Sequence, residues 1–325
     1  MWKAQRILLR LFVGIIACSN FLILDSSAQS YPVKPVHILV GFAPGGAVDI
    51  VARMVGQKLS ENVGQPVVVE NRPGASTAIA TDRAAKSPAD GYTLLLIAIS
   101  TAIQSALRTN LPYDLKRDLA PVSLVSIGPF VVAVHPSLPA RNVKGLITLA
   151  RSQPGKLNVG SPGIGSAPHL AEELFKSRTN VNIVHVPFKG SGDSVVAAAS
   201  GLVPVVFASL ASALNLLDAK RLRPLAVTSA KRASLLPSTP TLDESGLPGY
   251  DYSAWYGVSA PSGVPKDVIA RLNTVLGKVV PEIRELLNKQ GLEPQTSTPG
   301  EFAALIDREI ERSVKLIRSI GLKAE

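Results

Sequence analysis

Short apolar runs that end in glycine- or hydroxyl-rich loops, each loop opening an amphipathic stretch, recur along most of this 325-residue chain. A buried strand that feeds a helix through a short turn is the repeating unit of open α/β sheets, and in such sheets the strand ends collect at one crevice. Residues 36–40 read as a buried strand that stops at Pro44-Gly45-Gly46. Residues 47–62 follow with Val48, Val51, Met54, Val55 and Leu59 at helical spacing. A strand at 67–70, a helix over 76–86 and a third strand at 93–97 continue the pattern. A second series starts near 129–134. It runs through a helix at 143–152, a strand at 157–159, a loop at 160–166, a helix at 167–178, a strand at 183–186, a helix at 193–200 and strands at 203–207 and 225–228. The C-terminal stretch reads as helical over 266–280, 281–290 and 299–320. With no sheet of its own, it is expected to pack on the first series.

The first 28 residues stand apart. Lys3, Arg6 and Arg10 precede a largely apolar run over 11–24, and Ser26-Ser27-Ala28 supplies small residues for cleavage. That order is the pattern of a secretory signal. Cys18-Ser19-Asn20 interrupts the apolar run, which leaves it short of the roughly 20 residues of a membrane span. Ile15-Ile16-Ala17-Cys18 also resembles a loose lipobox, so lipidation at Cys18 is the alternative to cleavage near Ala28. Cys18 is the chain's one cysteine. Cleavage near Ala28 therefore leaves a mature chain without disulfides, thiolate metal sites or a cysteine nucleophile. About 300 residues then remain, enough for two packed cores. The formal net charge is +10 over the whole chain. Basic residues are scattered and aromatics sparse, which argues against a nucleic-acid partner.

Two loops carry the strongest candidate chemistry. Phe42, Ala43, Pro44, Gly45 and Gly46 form a turn before a helix. Glycines there let backbone N–H groups face inward, and the helix adds unpaired N–H groups and the positive end of its dipole. Asp49, near the first turn, is a candidate for capping the helix as well as for touching ligand. Gly160 to Ser166 repeats the logic: Ser161, Gly163 and Gly165 give the loop its freedom, Ser166 fits an N-cap with Pro168 in the first turn, and His169 falls near the third helical position. Ala75, Ser76 and Thr77 after the second strand, and Ser100 and Thr101 after the third, add hydroxyls at further strand ends. Lys189 and Gly190 add a cation and a flexible point on another loop.

These loops match neither nucleotide fingerprint. Gly160–Ser166 lacks the Lys-Ser/Thr of a phosphate loop, and 163–168 ends in proline where a dinucleotide motif needs glycine or alanine. Catalysis has little support. His37, His135, His169 and His185 are dispersed, none stands at metal-ligand spacing to another, and no Gly-x-Ser-x-Gly elbow occurs. No catalytic residue, metal ligand or cofactor is assigned.

Six segments then fall in a familiar order: FAPGGAVDIVAR (42–53), VENRPGA (69–75), ADGYTL (89–94), VPFKG (186–190), PTLDESGLPG (240–249) and WYGVSAP (255–261). The chain resembles the Bug-type receptors of tripartite tricarboxylate transporters. That resemblance implies a type II periplasmic-binding-protein fold, with two α/β lobes, a ligand cleft between them and two crossings, near 123–129 and 250–258. Lobe one would combine 31–126 with 255–325, and lobe two would be 127–254. It implies a periplasmic protein whose ligand is a di- or tricarboxylate, an amino acid or an aromatic acid, held largely by backbone groups. Membrane transporter subunits would be its partners; a ligand sensor acting on a membrane protein without a dedicated transporter is the second reading. The chain departs from the family pattern at VAAASG (196–201), where a more polar stretch is usual, and at Pro204, where an aspartate is common. Loss of carboxylates there favours a plain or more apolar acid over one carrying an amino group.

Overall fold

The computed structural model describes residues 31–322, and the leader, with the cleavage and lipidation signals read from it, lies outside that range. The elements are β1 (Val36–Val40), α1 (Ala47–Val63), β2 (Val67–Asn71), a 3-10 turn (Ala75–Thr77), α2 (Ala78–Ala85), β3 (Thr93–Ala98), α3 (Ile99–Leu107), α4 (Leu115–Asp118) and the long β4 (Leu119–Val134). Then come α5 (Val143–Ser152), β5 (Asn158–Ser161), α6 (Ala167–Thr179), β6 (Val184–Pro187), α7 (Ser191–Ala199), β7 (Val205–Ser209), α8 (Leu210–Asp218) and β8 (Arg223–Val227). β9 (Ser253–Pro261), α9 (Lys266–Glu282), α10 (Arg284–Asn288), β10 (Glu293–Pro294) and α11 (Pro299–Ile320) complete the chain.

Local signals account for most of these boundaries. In α1, Val48, Val51, Val55 and Leu59 form one buried stripe, and Gly64 ends the helix in the left-handed conformation with its N–H bonded to the Ser60 carbonyl. Ser166 caps α6 by accepting from the His169 N–H, with Pro168 in the first turn. Thr298 and Glu301 close a capping box at the start of α11.

The strands line up as β2-β1-β3-β9-β4-β7-β5-β6. β1 pairs in parallel with β2 and β3, and β5 pairs in parallel with β6 and β7. Between these two parallel halves lie β4 and β9, antiparallel to each other over Leu119–Pro129 and Ser253–Pro261. Past Pro129 the partner changes: Phe130–Val134 of β4 pairs with β7, and Val131–Val134 also pairs with β8. A single 16-residue strand thus belongs to both halves. The expected start of a second series at 129 coincides with this change of partner and not with the start of a new strand.

Several boundaries move from their expected places. α7 begins at Ser191, not at 193, and β5 extends through Gly160 and Ser161, which read as loop. The run over 76–86 divides into the 3-10 turn and α2, because Ala75, Ser76 and Thr77 all take positive φ. In the C-terminal stretch, α9 packs on α1 and β4, whereas α11 contacts α3, β4 and also α6 of the second series. β10 pairs with β4 at Ser126 and Ile127, so the C-terminal stretch does reach the sheet. Two residues are too few to leave a period-2 signature. Among the described residues, no helix is long and apolar enough to cross a membrane.

Candidate functional site

Five helices begin at one cavity. Its lining takes Gly46, Ala47 and Val48 from the start of α1, Ala98, Ile99 and Ser100 from α3, Ala167 and Pro168 from α6, Ser191 from α7, and Ser209 from the cap of α8. Phe42, Pro162 and three residues of the crossing strands, Phe130, Ala254 and Tyr256, supply the remaining surface. The space among these residues, open solvent at its mouth included, is about 370 Å³, and among the described residues that line it none is charged. Each helix N-terminus leaves backbone N–H groups without intrahelical partners and carries a partial positive charge of roughly +0.5. Five of them around apolar walls favour an anion with a hydrocarbon portion, without any lysine or arginine in contact.

The turn at 41–46 is held from behind. Asp49, buried at 4% exposure, accepts the Gly45 N–H at 3.0 Å. Arg53 grips the same carboxylate with Nε at 3.1 Å and a second nitrogen at 2.9 Å. Asn71 donates to Asp49 at 2.9 Å and to the Phe42 carbonyl at 3.0 Å. Burial alone would raise the Asp49 carboxyl, but the bonds from Arg53, Gly45 and Asn71 outweigh it and hold it below the ordinary aspartate range. Gly45 sits at φ +84°, where a side chain would be strained. Asp49 braces the turn and does not line the cavity.

The turn at 160–166 is held differently. Ser161 Oγ lies 2.6 Å from His185 Nε2, and the Gly165 N–H donates to His169 Nδ1 at 3.1 Å. That bond places the His169 proton on Nε2, which faces Glu173 Oε1 at 3.6 Å. The two imidazoles stack with centroids 3.9 Å apart. Histidines that are dispersed in the sequence are therefore neighbours in space, and His169 is buried rather than solvated. Burial, then the neighbouring His169, lowers His185 to about 3. Burial opposes ionisation of Glu173, but His169 and Lys176 outweigh it and bring its carboxyl to about 2. Among the described residues no group of three or more His, Cys, Asp or Glu side chains is arranged to hold a metal.

The two halves touch directly around the cavity. Ala43 N–H donates to the Lys189 carbonyl at 3.3 Å, and Ser76 Oγ donates to the Ile164 carbonyl at 2.7 Å. Gln104 Nε2 reaches the same carbonyl at 3.2 Å. Two bonds involve helix starts: Ala47 N–H of α1 donates to Ser212 Oγ of α8 at 3.1 Å, and Ala167 N–H of α6 donates to Ser100 Oγ of α3 at 3.1 Å. Gly163, at φ +112°, has room for no more than hydrogen, because a Cβ there would stand 2.9 Å from Ser76 Oγ.

Of the residues singled out in the sequence, Phe42, Gly46 and Ser100 line this cavity. Phe42 also lines a wider outer opening of about 590 Å³ together with Ala75, Ser76, Gly163 and Lys189. Ala43, Pro44 and Gly45 form the turn itself, and Gly190 packs beside Ala43 as the cap of α7. Thr77 and Thr101 are buried off both surfaces, while Ser161, Gly165, Ser166 and His169 are occupied in supporting the second turn. The sequence reading missed Ser191, Ser209, Phe130 and Tyr256. Ser209 ends a strand and caps a helix, so the rule that drew attention to Ser100 would have found it. Phe130 and Tyr256 lie within crossing strands and have no local signal.

The family model described as "Tripartite tricarboxylate transporter family receptor" matches residues 51–322. Protein BugT of Bordetella pertussis (strain Tohama I) is 36% identical over 315 residues, which are 96% of this chain and 97% of BugT. The structure described as R. palustris Rpa4515 with adipate superimposes with a TM-score of 0.88 at 36% identity, over 90% of this chain and 99% of that one. MatC (Rpa3494) from Rhodopseudomonas palustris with bound malate gives a TM-score of 0.84 at 29% identity, over 88% and 100%. The fold is that of the periplasmic binding proteins, and the chain belongs to the tripartite tricarboxylate transporter receptor family, whose members are solute-binding receptors and not enzymes.

Proposed function

We propose that this protein captures a small organic carboxylate in the cavity where α1, α3, α6, α7 and α8 begin, and delivers it to membrane transporter subunits. The convergence of five helix N-termini on an uncharged, largely apolar pocket carries the reading. Adipate and malate in the two similar structures agree with it. Recognition rests on the N–H groups that remain at the 41–46 turn and the helix starts, with hydroxyls from Ser100, Ser191 and Ser209. The N–H groups of Ala43, Gly45, Ala47 and Ala167 are already bonded within the protein. Apolar walls from Phe42, Phe130 and Tyr256 favour an acid with a hydrocarbon body over a compact, highly hydrated one.

The two lobes are the half built on β1–β3, with most of the C-terminal helices, and the half built on β5–β8. They hinge where β4 changes partner past Pro129, and the direct contacts across the cavity correspond to a closed state. The protein works in the periplasm after export, and fractionation of cells expressing the full chain checks that. The principal test is calorimetry and thermal shift on protein stripped of any carried-over ligand. The panel is acetate, malate, adipate, citrate and benzoate. At least one acid is expected to raise the Tm by several degrees with a micromolar or tighter Kd. If none of the five does, the carboxylate reading fails.

A further inference from the structure

We propose that the Ser209 hydroxyl is a side-chain donor to the bound carboxylate, and that Ser212 orients it only when α1 of the other half is docked. The inference rests on the carboxylate reading above and assigns a closure-dependent donor within that site. Ser209 lines the cavity and is buried. It stands at the N-cap of α8, where serine ordinarily accepts a backbone N–H of its own helix, but it makes no such bond. Instead its Oγ meets Ser212 Oγ at 2.5 Å. Ser212, outside the cavity lining, accepts the Ala47 N–H of α1 at 3.1 Å.

A serine hydroxyl has one proton and two acceptor lone pairs. Accepting a bond from Ala47 polarises the Ser212 hydroxyl and makes it a better donor. Donation from Ser212 to Ser209 then leaves the Ser209 proton free for the cavity. The order Ala47 N–H, Ser212 O–H, Ser209 O–H runs one way and ends on a donor facing the anion. Ala47 belongs to one half and both serines to the other. Opening the cleft removes the first link, and the hydroxyls relax to other orientations. Closure and carboxylate recognition are thereby coupled through three residues, and Ser212 acts as a positioning residue that does not touch the ligand.

The test uses the mature chain with adipate as probe, or malate if adipate does not bind, and compares Ser209→Ala, Ser212→Ala, Ser212→Thr, Ser212→Val and Ser209→Ala/Ser212→Ala. Loss of the Ser209 donor is expected to weaken binding about 10-fold, and Ser212→Ala about 5-fold, the scale of a single hydrogen bond to a charged group. The double variant should bind no more weakly than Ser209→Ala alone, because the serines act as one unit. Ser212→Thr should keep affinity within about 2-fold and Ser212→Val should lose it, since these two differ by the hydroxyl in place of a methyl. Equal binding by the Thr and Val variants, or costs that multiply in the double variant, overturns the proposal. A wild type that binds no acid of the panel defeats the underlying reading instead.

Discussion

Behind the 41–46 turn stands an ionised carboxylate gripped by Arg53 and Asn71; behind the 160–166 turn stand two closely packed imidazoles. Both braces fix a glycine N–H, of Gly45 in one case and Gly165 in the other. The first brace draws on charge and is half open to water, since the Arg53 side chain is 54% exposed. The second is less open, with His169 buried and His185 partly exposed. Similar backbone presentations can thus be held by different electrostatics, and the difference decides how each turn responds to mutation and to pH.

The largest effect is expected at the first turn. Asp49→Ala strips three donors of their acceptor and should cost about 3 kcal/mol of stability, with ligand affinity falling more than 10-fold. Urea denaturation with calorimetry reads both, and a loss below about 0.5 kcal/mol would show that Arg53 and Asn71 hold the turn without the carboxylate.

Next comes the helix that carries the second brace. Glu172 of α6 is fully buried, neither of its carboxylate oxygens has a hydrogen-bond partner among the described residues, and burial pushes its carboxyl well above the usual range. Replacing it with methionine should stabilise the protein by about 1–3 kcal/mol at neutral pH, since an unsatisfied acid is exchanged for an apolar chain of similar length. An unchanged or lower Tm for Glu172→Met would mean that the acid has a role in the fold beyond filling space.

The pH response separates the two braces further. Burial, then His169, brings His185 to about 3 in the folded protein against an ordinary 6.5, so the unfolded chain binds more protons between those limits. Its contribution to stability is complete above pH 6.5 and is lost as pH falls toward 3. The slope is at most about 1.4 kcal/mol per pH unit, the value for one proton, and partial exposure of the ring reduces it. Asp49, with its pKa lowered, keeps its full contribution down to about 3.8 and loses it as pH falls further, through its depressed folded value. Acid should therefore loosen the second turn before the first. Stability curves between pH 7 and 4 for wild type and His185→Gln check this: the variant should be flatter, and parallel curves would remove the imidazole from the account.

The smallest effect should come from a contact between the 160–166 turn and the 3-10 turn of the other half. Ser76→Ala removes the 2.7 Å bond to the Ile164 carbonyl across the cleft. It should weaken ligand binding about 2- to 5-fold through destabilised closure while leaving the Tm of ligand-free protein nearly unchanged.

Much of this was legible in one dimension. Val48, Val51, Val55 and Leu59 announce α1 by their spacing, and Ser166 with Pro168 announces α6 through capping chemistry that acts within four residues. The 41–46 turn was legible because glycine's conformational freedom and a following helix are both local facts. The brace from Asp49 was half legible, since Arg53 lies one helical turn away, whereas Asn71 enters from a neighbouring strand. The second brace was not. His169 and His185 lie on different elements, and only the pairing of β5 with β6 sets one ring on the other.

The sequence by itself determined the alternation of strand, flexible loop and helix, and with it a parallel-sheet architecture whose strand ends would gather. Hydrophobic periodicity, glycine conformation and capping act over a few residues, so no tertiary information is needed to express them. The tertiary structure alone decided that five helix starts share one cavity, that Ser212 meets Ala47 across 165 positions of chain, and that one strand, β4, serves both halves. Those contacts depend on strand order and on packing between the halves, which arise from the burial of whole faces and leave no mark at any single residue.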